Sequence, residues 1–162
     1  MNHEQNNTSS IPEWMGNLPF KSEEEKKPLV ITREKELSTL YGFEGHQVCS
    51  EIYVSTDNFC FNEWTLPPGH YYAPAGLHPG DEVYYVTEGD PTAFNVELGE
   101  VFQLHAGDAL LIPRGTRHQI ANFTGKIVKV IATNAPKTWV EEDGGTHIPQ
   151  VQAHWFFKGG NQ

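Results

Sequence analysis

Short runs of apolar, β-branched and aromatic residues follow one another from Leu29 to about Thr133, separated by Gly, Pro, Asn and Asp. Apolar, β-branched and aromatic residues favour strands, whereas Gly, Pro, Asn and Asp favour turns. Many short strands with frequent turns and almost no helix predict a sandwich or a barrel. The predicted strands are Leu29–Thr32, Cys49–Ser55, Phe59–Thr65, Glu82–Thr87, Ala93–Val96, Val101–Leu104, Ala109–Ile112, His118–Phe123 and Ile127–Thr133.

The segments on either side of this region have a different composition. Residues 1–28 are polar and interrupted by prolines, which is typical of an extended N-terminal arm. Residues 134–162 contain several Gly and Pro residues and predict an irregular C-terminal tail, packed on the barrel through Val151, Trp155, Phe156 and Phe157. Between the first two predicted strands, Arg33 to Leu40 can form one short helical turn. We therefore divide the chain into an arm (1–28), a β-barrel (29–133) and a tail (134–162).

Length, charge and cysteine content limit the possible functions. A chain of 162 residues with 38% hydrophobic residues has the size and apolar content of one folded domain. The net charge of -10 and the lack of a basic cluster argue against a nucleic-acid partner. There is no signal-like start and no apolar run of about 18 residues, so we expect a cytoplasmic protein without a membrane partner. Cys49 and Cys60 are expected to be free thiols.

The most informative stretch is 107–122, with the sequence GDALLIPRGTRHQIAN. It predicts a strand, a tight turn and a return strand, because Pro113 ends the first strand and Gly115 permits a positive φ. His118 opens the return strand and shares a face with Ile120 and Asn122.

This stretch resembles the second conserved motif of the cupin superfamily, in which glycine, proline, glycine, histidine and asparagine recur at fixed spacing. Here those places are filled by Gly107, Pro113, Gly115, His118 and Asn122. A chance match has a probability of roughly 10⁻⁷ per starting position, so the resemblance is specific.

Residues 69–89 resemble the first cupin motif, with Gly69, His78, Glu82 and Gly89 in place. The family normally has two histidines flanking one residue, but Gly76 occupies the place of the first. The stretch after Gly69 is also one residue longer than usual. His70 is the nearest replacement for the missing ligand, although its position favours the rim of the barrel.

The resemblance implies a jelly-roll (cupin) β-barrel over about residues 45–133 with one divalent metal ion inside, held by His78, Glu82 and His118. The identity of the ion is open among Fe²⁺, Mn²⁺, Zn²⁺ and Ni²⁺. Two histidines and one carboxylate leave coordination positions free, which favours catalysis over a structural ion. The alternative is a cupin without metal, in which Glu82 is a surface residue, His78 a loop residue and His118 a core residue.

Other residues near the motifs are candidates for the pocket. Tyr84 shares the inward face of Glu82 by strand alternation and either lines the site or fills the barrel. Arg114, with Arg117, stands in the turn beside His118, where it can hold an anionic group of a substrate. Tyr84 and Arg114 are therefore the predicted catalytic residues. Trp64 and Phe102 are expected in the core, and His105 in an exposed turn.

These features predict a metal-dependent enzyme acting on a small polar or carboxylated molecule, with oxygen-dependent oxidation of the dioxygenase type as the favoured reaction. Two alternatives stay open, a sugar isomerase or epimerase of the cupin type and a non-catalytic ligand-binding cupin, because the fold does not choose the reaction. The family resemblance also implies a homodimer.

Overall fold

The computed structural model describes residues 28, 30–43, 47–56, 58–73, 75–136 and 151–157. Within these residues the regular structure is β-strand, apart from one 3₁₀ turn at Arg33–Lys35. None of the described helices has the length and apolar content needed to cross a membrane. The strands are β1 (Leu37–Phe43), β2 (Val48–Ser55), β3 (Cys60–Leu66), β4 (Asp81–Glu88), β5 (Thr92–Asn95), β6 (Glu100–Gln103), β7 (Ala109–Ile112), β8 (His118–Ala121), β9 (Val128–Ala135) and β10 (Val151–Phe157).

The strands form two antiparallel sheets. The larger has seven strands in the order β10-β1-β2-β3-β9-β4-β7, and the smaller has three in the order β6-β5-β8. Several strands pair with partners that are distant in the chain, such as β3 with β9 and β5 with β8. The segment before β4 also joins the smaller sheet through bridges from Tyr71 to Ala121 and from Gly76 to His118. The predicted all-β jelly-roll architecture is confirmed.

Strand alternation determines which side chains line the interior. Along β4 the buried residues alternate with exposed ones, so Glu82, Tyr84 and Val86 point inward while Val83 and Tyr85 point outward. This matches the prediction from alternation. β3 and β9 alternate in the same way, and their inward residues pack with Ile120 from β8 in one apolar cluster. The interior of the barrel is therefore both the hydrophobic core and the wall of the candidate site.

The first and last described strands differ from the sequence prediction. The predicted strand Leu29–Thr32 is wrong for residues 30–32, which are not in a strand, and Leu29 lies outside the described residues. The helical turn is shorter than expected, since residues from Leu37 onward form β1. The tail is not irregular throughout, because residues 151–157 form β10 and pair with β1 over its whole length. The N-terminal arm lies outside the described residues, except for Pro28.

Three single-residue predictions outside the site can also be compared with the structure. Trp64 is buried in the core, as expected. Phe102 is not a core residue, because it lies on β6, whose four residues are all exposed. His105 is confirmed in an exposed turn, where the Asp108 carboxylate accepts a hydrogen bond from its backbone N–H at 2.8 Å.

Candidate metal centre

His118 is placed by the turn between β7 and β8. β7 ends at Ile112, and Gly115 adopts a φ of 74° that an L side chain would strain. The backbone N–H of Gly115 donates to the carbonyl of His78 at 2.9 Å, which ties this turn to the loop that carries the other histidine. β8 then begins at His118 and turns its imidazole into the barrel, where it is buried.

Glu82 and His78 come from the start of β4 and the loop before it. Glu82 is the second residue of β4 and lies between Ile112 of β7 and Asn134 of β9, with only 1% of its surface exposed. His78 is partly buried, with 15% of its side chain exposed. The three predicted ligands therefore reach the interior from two strands and one loop.

The three side chains converge on one point. Glu82 Oε2 lies 2.7 Å from His118 Nε2 and 3.5 Å from His78 Nε2. One ligand atom from each residue can be chosen so that all three lie within 4.8 Å of one another. Ligands of one ion at about 2.1 Å can be at most about 4.2 Å apart, so both contacts of Glu82 already satisfy this limit. The structure thus brings the predicted ligand set together, while the metal-binding role stays a prediction.

The surroundings of these atoms fit a divalent cation. Glu82 Oε1 is buried and has no hydrogen-bond partner among the described residues. An ionised carboxylate in such a place is costly unless a cation compensates its charge. The ring of His118 is fixed from the other side, because its Nδ1 lies 2.8 Å from the carbonyl oxygen of Thr116 and donates to it. That bond leaves the Nε2 lone pair directed at Glu82 and available to a metal.

The same environment shifts two pKa values. Burial acts to lower the pKa of His118, but the adjacent Glu82 carboxylate and the Thr116 carbonyl outweigh burial and raise it. Burial, together with the negative charge of Glu82, raises the pKa of Tyr84 well above its usual value. The carboxylate is therefore the main source of negative potential in this part of the interior.

The two predicted catalytic residues lie in different surroundings, one in the interior and one at the surface. Tyr84 is fully buried, and its ring lies edge-on to the His118 imidazole with centroids 5.8 Å apart. Arg114 is exposed in the turn, and its backbone N–H donates to the Asp81 carboxylate at 2.9 Å. Tyr84 thus contacts the ligand group, while Arg114 stands at the rim. The catalytic roles of both stay predictions.

His118 also borders a cavity lined by residues of the smaller sheet and of β7. This cavity has a volume of about 250 Å³, and Leu110, Ile112, Thr116 and Phe102 are among its other lining residues. A water molecule occupies about 30 Å³ in the liquid, so the cavity is large enough for a small organic molecule. Phe102 therefore belongs to this wall and not to the core.

A family model described as "Cupin domain" matches residues 62–134. That range includes all three candidate ligands and both sequence motifs. Residues 62–134 therefore form a cupin domain. No curated protein matches this cupin at a significant level.

Solved structures share the cupin fold at low sequence identity. A protein described as a predicted oxalate decarboxylase from Thermotoga maritima is 19% identical, with a TM-score of 0.58, covering 67% of this chain and 99% of that one. The polyketide cyclase RemF from Streptomyces resistomycificus is 18% identical, with a TM-score of 0.57, covering 76% of this chain and 96% of that one. An uncharacterised double-stranded β-helix protein from Klebsiella pneumoniae is 17% identical, with a TM-score of 0.55, and covers 84% and 100%. At such identities these likenesses show the fold and leave the reaction open.

Gly76, where the usual cupin motif has a histidine, lies in a place with little room for a side chain. Gly76 and His118 exchange two backbone hydrogen bonds, of 2.8 and 3.0 Å. A Cβ atom at Gly76 would lie 2.7 Å from His118 Nε2 and 3.0 Å from His78 Nε2. The two imidazoles therefore fill the space above Gly76. His70 does not replace the missing histidine, because it is not part of the ligand group and its Nδ1 lies 3.1 Å from the Pro68 carbonyl oxygen.

Sequence reasoning did not identify two polar residues on the inner wall. Asn62 on β3 and Asn134 on β9 are both buried and face the interior. Strand alternation could have indicated both residues. Asn62 shares the inward face of β3 with Trp64 and Leu66, and Asn134 shares that of β9 with Val130 and Ala132.

Proposed function

We propose that this cupin is a metal-dependent enzyme acting on a small molecule, with His78, Glu82 and His118 holding one divalent ion. The observation that carries the proposal is Glu82, a fully buried carboxylate with two imidazole nitrogens within 3.5 Å of one oxygen. A bound cation removes the cost of this buried charge and uses both imidazoles as ligands.

The favoured reaction is oxygen-dependent oxidation. Two histidines and one carboxylate are the donor set of non-haem Fe(II) oxygenases, and they leave coordination positions open. When bound there, the ion supplies activation of dioxygen or polarisation of a substrate oxygen. The protein residues hold the site: Thr116 orients His118, Glu82 provides the negative charge, and Tyr84 closes the inner wall beside His118.

Arg114 is proposed to act at the rim. Its turn also supplies Pro113 and Thr116 to the wall of the 250 Å³ cavity, and Arg114 is exposed between them in the chain. In this role Arg114 helps to capture a carboxylated substrate and does not take part in the chemistry.

Oxygen uptake is the measurement that tests the reaction class. Protein loaded anaerobically with Fe²⁺ is mixed with small carboxylated and hydroxylated compounds, and dioxygen is then admitted while its concentration is recorded. We expect uptake that requires both metal and substrate and that falls to background in Glu82→Ala, because the ligand set is then incomplete. Substrate conversion without oxygen uptake would contradict oxidation and favour the isomerase or epimerase alternative.

A non-catalytic ligand-binding cupin is the second candidate. The feature that favours it is Gly76, which leaves three protein ligands where most cupins are expected to have four. Such a protein would bind a small molecule in the cavity and release it unchanged. Ligand binding without turnover of any bound compound would support this candidate.

We also propose that the protein is a homodimer, assembled through the outer face of the smaller sheet. Phe94, Val101 and Phe123 make this face apolar, and Val101 and Phe123 are 62% and 71% exposed. Exposed apolar patches of this kind commonly mark interfaces. Light scattering at micromolar concentration should give about twice the 18.2 kDa chain mass. A mass of one chain would contradict the proposal.

A further inference from the structure

Two buried asparagines on the inner wall each have a polar atom without a partner. Asn62 is 2% exposed and Asn134 is 1% exposed, and both lie on the inward faces of their strands. Asn62 Oδ1 and Asn134 Nδ2 make no hydrogen bond with any described residue. One atom is an acceptor and the other is a donor, so together they offer complementary bonding to a polar molecule.

Strand register places both asparagines next to the candidate metal ligands. Asn134 on β9 is the direct cross-strand partner of Glu82 on β4. Side chains at such positions have Cβ atoms about 4.5–5.5 Å apart. Asn62 lies on β3, the next strand, opposite Ala132. It is therefore two strand spacings, or about 10 Å, from the strand that carries Glu82. Both amides therefore share the inward face of Glu82, and they lie one and two strands away from it.

Two more polar atoms without hydrogen-bond partners lie on the inward faces of neighbouring strands. Ser50 Oγ and Trp64 Nε1 are also buried without hydrogen-bond partners among the described residues, and these two residues face each other across β2 and β3. All four side chains are uncharged. The buried polar and charged residues of the described chain include no lysine or arginine. The wall beyond Glu82 therefore suits neutral polar groups, because nothing buried there can neutralise an anion.

Asn122 shows how a structural asparagine is bonded in the same barrel. It is fully buried, and its Nδ2 donates to the carbonyls of Leu66 and Lys126 at 2.9 and 2.7 Å. Its Oδ1 accepts from the backbone and the hydroxyl of Thr124 at 3.0 and 2.7 Å. Buried amides in folded proteins are normally satisfied in this way. Asn62 and Asn134 depart from that rule on the wall that faces the candidate site.

We infer that Asn62 and Asn134 bind and orient the substrate, and that its part remote from the metal is a neutral, hydroxylated group such as that of a sugar or polyol. Asn62 Oδ1 accepts a hydrogen bond from one hydroxyl, and Asn134 Nδ2 donates to another oxygen of the same molecule. This inference rests on the proposed metal site, and it specifies the substrate class of that site.

The first test measures the stability of the protein without added ligand. Leucine has nearly the shape of asparagine, so Asn62→Leu and Asn134→Leu each remove one unsatisfied polar atom without opening a large cavity. Asn62→Leu also removes the weak hydrogen bond that Nδ2 donates to Cys60 Sγ at 3.6 Å. We expect each variant to raise Tm by about 2–4 °C, the shift typical of a modest stabilisation at this chain length. The matched control Asn122→Leu breaks four hydrogen bonds and should lower Tm. A lower Tm or loss of folding in the Asn62 and Asn134 variants would identify them as structural and overturn the inference.

The second test measures ligand binding by calorimetry on the full chain loaded with Mn²⁺. The probes are pentoses, hexoses, their alditols and their aldonic acids, all of which carry a neutral polyol chain, compared with short dicarboxylates, which have none. We expect at least one polyol-bearing probe to bind the wild type, with Kd raised about tenfold or more in each Asn→Leu variant. Each lost hydrogen bond to a neutral group is consistent with a change of this size. The Mn²⁺ content should stay the same in all of them.

The outcomes separate this inference from the proposed function. If no polyol-bearing probe binds the Mn²⁺-loaded wild type, or if such probes bind both variants as tightly, the asparagines do not recognise substrate, while the metal site stands. Binding confined to the dicarboxylates overturns the substrate class in the same way. If the wild type holds no Mn²⁺, both the proposed function and the inference that depends on it are rejected.

Discussion

Replacing His118 with alanine is expected to reduce the metal content of the purified protein from about one ion per chain to near zero. His118 supplies the nitrogen closest to Glu82, at 2.7 Å, and its ring is already held in place by the Thr116 carbonyl. Even the loss of an outer-shell partner lowers metal affinity by about 10–100-fold, so loss of a ligand should exceed that range. Elemental analysis of protein purified without added metal, followed by titration with the same ion, measures the effect.

A matched histidine provides the control for this experiment. His70 lies in the same motif but outside the ligand group, with its Nδ1 directed at the Pro68 carbonyl. His70→Ala should therefore keep the wild-type metal content. An equal loss in both variants would show that the metal is bound elsewhere or that the barrel is disturbed. Near-zero metal in the wild type itself would contradict the ligand set and favour the ligand-binding alternative.

The site was more predictable from the sequence than the edges of the fold because its ligands lie within short motifs. Gly115 and Pro113 determine the local turn, and strand parity then determines the direction of His118. The same parity places Glu82 and Tyr84 inside. β7 was predicted with its observed bounds, Ala109–Ile112, and most neighbouring strands within one or two residues. Local spacing was sufficient in each of these cases.

The elements that were missed depend on contacts between distant parts of the chain. β1 and β10 pair with each other although they are separated by more than half of the sequence, and β1 has no clear alternation of apolar and polar residues. Pairing of this kind is decided by the assembled sheet and not by local propensity. Phe102 was assigned to the core by residue type, but β6 is an edge strand of the smaller sheet.

The proposed role of Asn62 and Asn134 in binding the substrate could likewise not be predicted from the sequence. A polar residue at an inward position of a strand can be satisfied by neighbours, as Asn122 is, or left for a ligand. Only the hydrogen-bond partners distinguish the two cases. The sequence thus locates the candidate metal ligands, while the unsatisfied amides beside them emerge only from the arrangement of β3, β9 and β4 in the sheet.

Gly76→Ala is expected to weaken metal binding by at least about tenfold while leaving the protein folded. The added Cβ would lie 2.7 Å from His118 Nε2 and 3.0 Å from His78 Nε2, so the imidazoles must turn away from their common point. Because the ring ends can move and no positive φ is required at this glycine, the strain falls on the ligand geometry and not on the backbone. Metal titration monitored by calorimetry, with Tm measured on the same samples, separates the two effects.

Gly125→Ala is the control, because a Cβ there meets no atom within 4 Å and the residue also lacks a positive φ. Gly125→Ala should leave the metal affinity unchanged. It should change the free energy of unfolding by no more than about 1 kcal/mol. Gly76→His distinguishes two accounts of the departure from the cupin motif. If a histidine had simply been lost, restoring it would add a ligand and tighten binding. The contacts of Gly76 predict weaker binding instead, because His78 and His118 already occupy the space, so tighter binding in Gly76→His would contradict this account of the site.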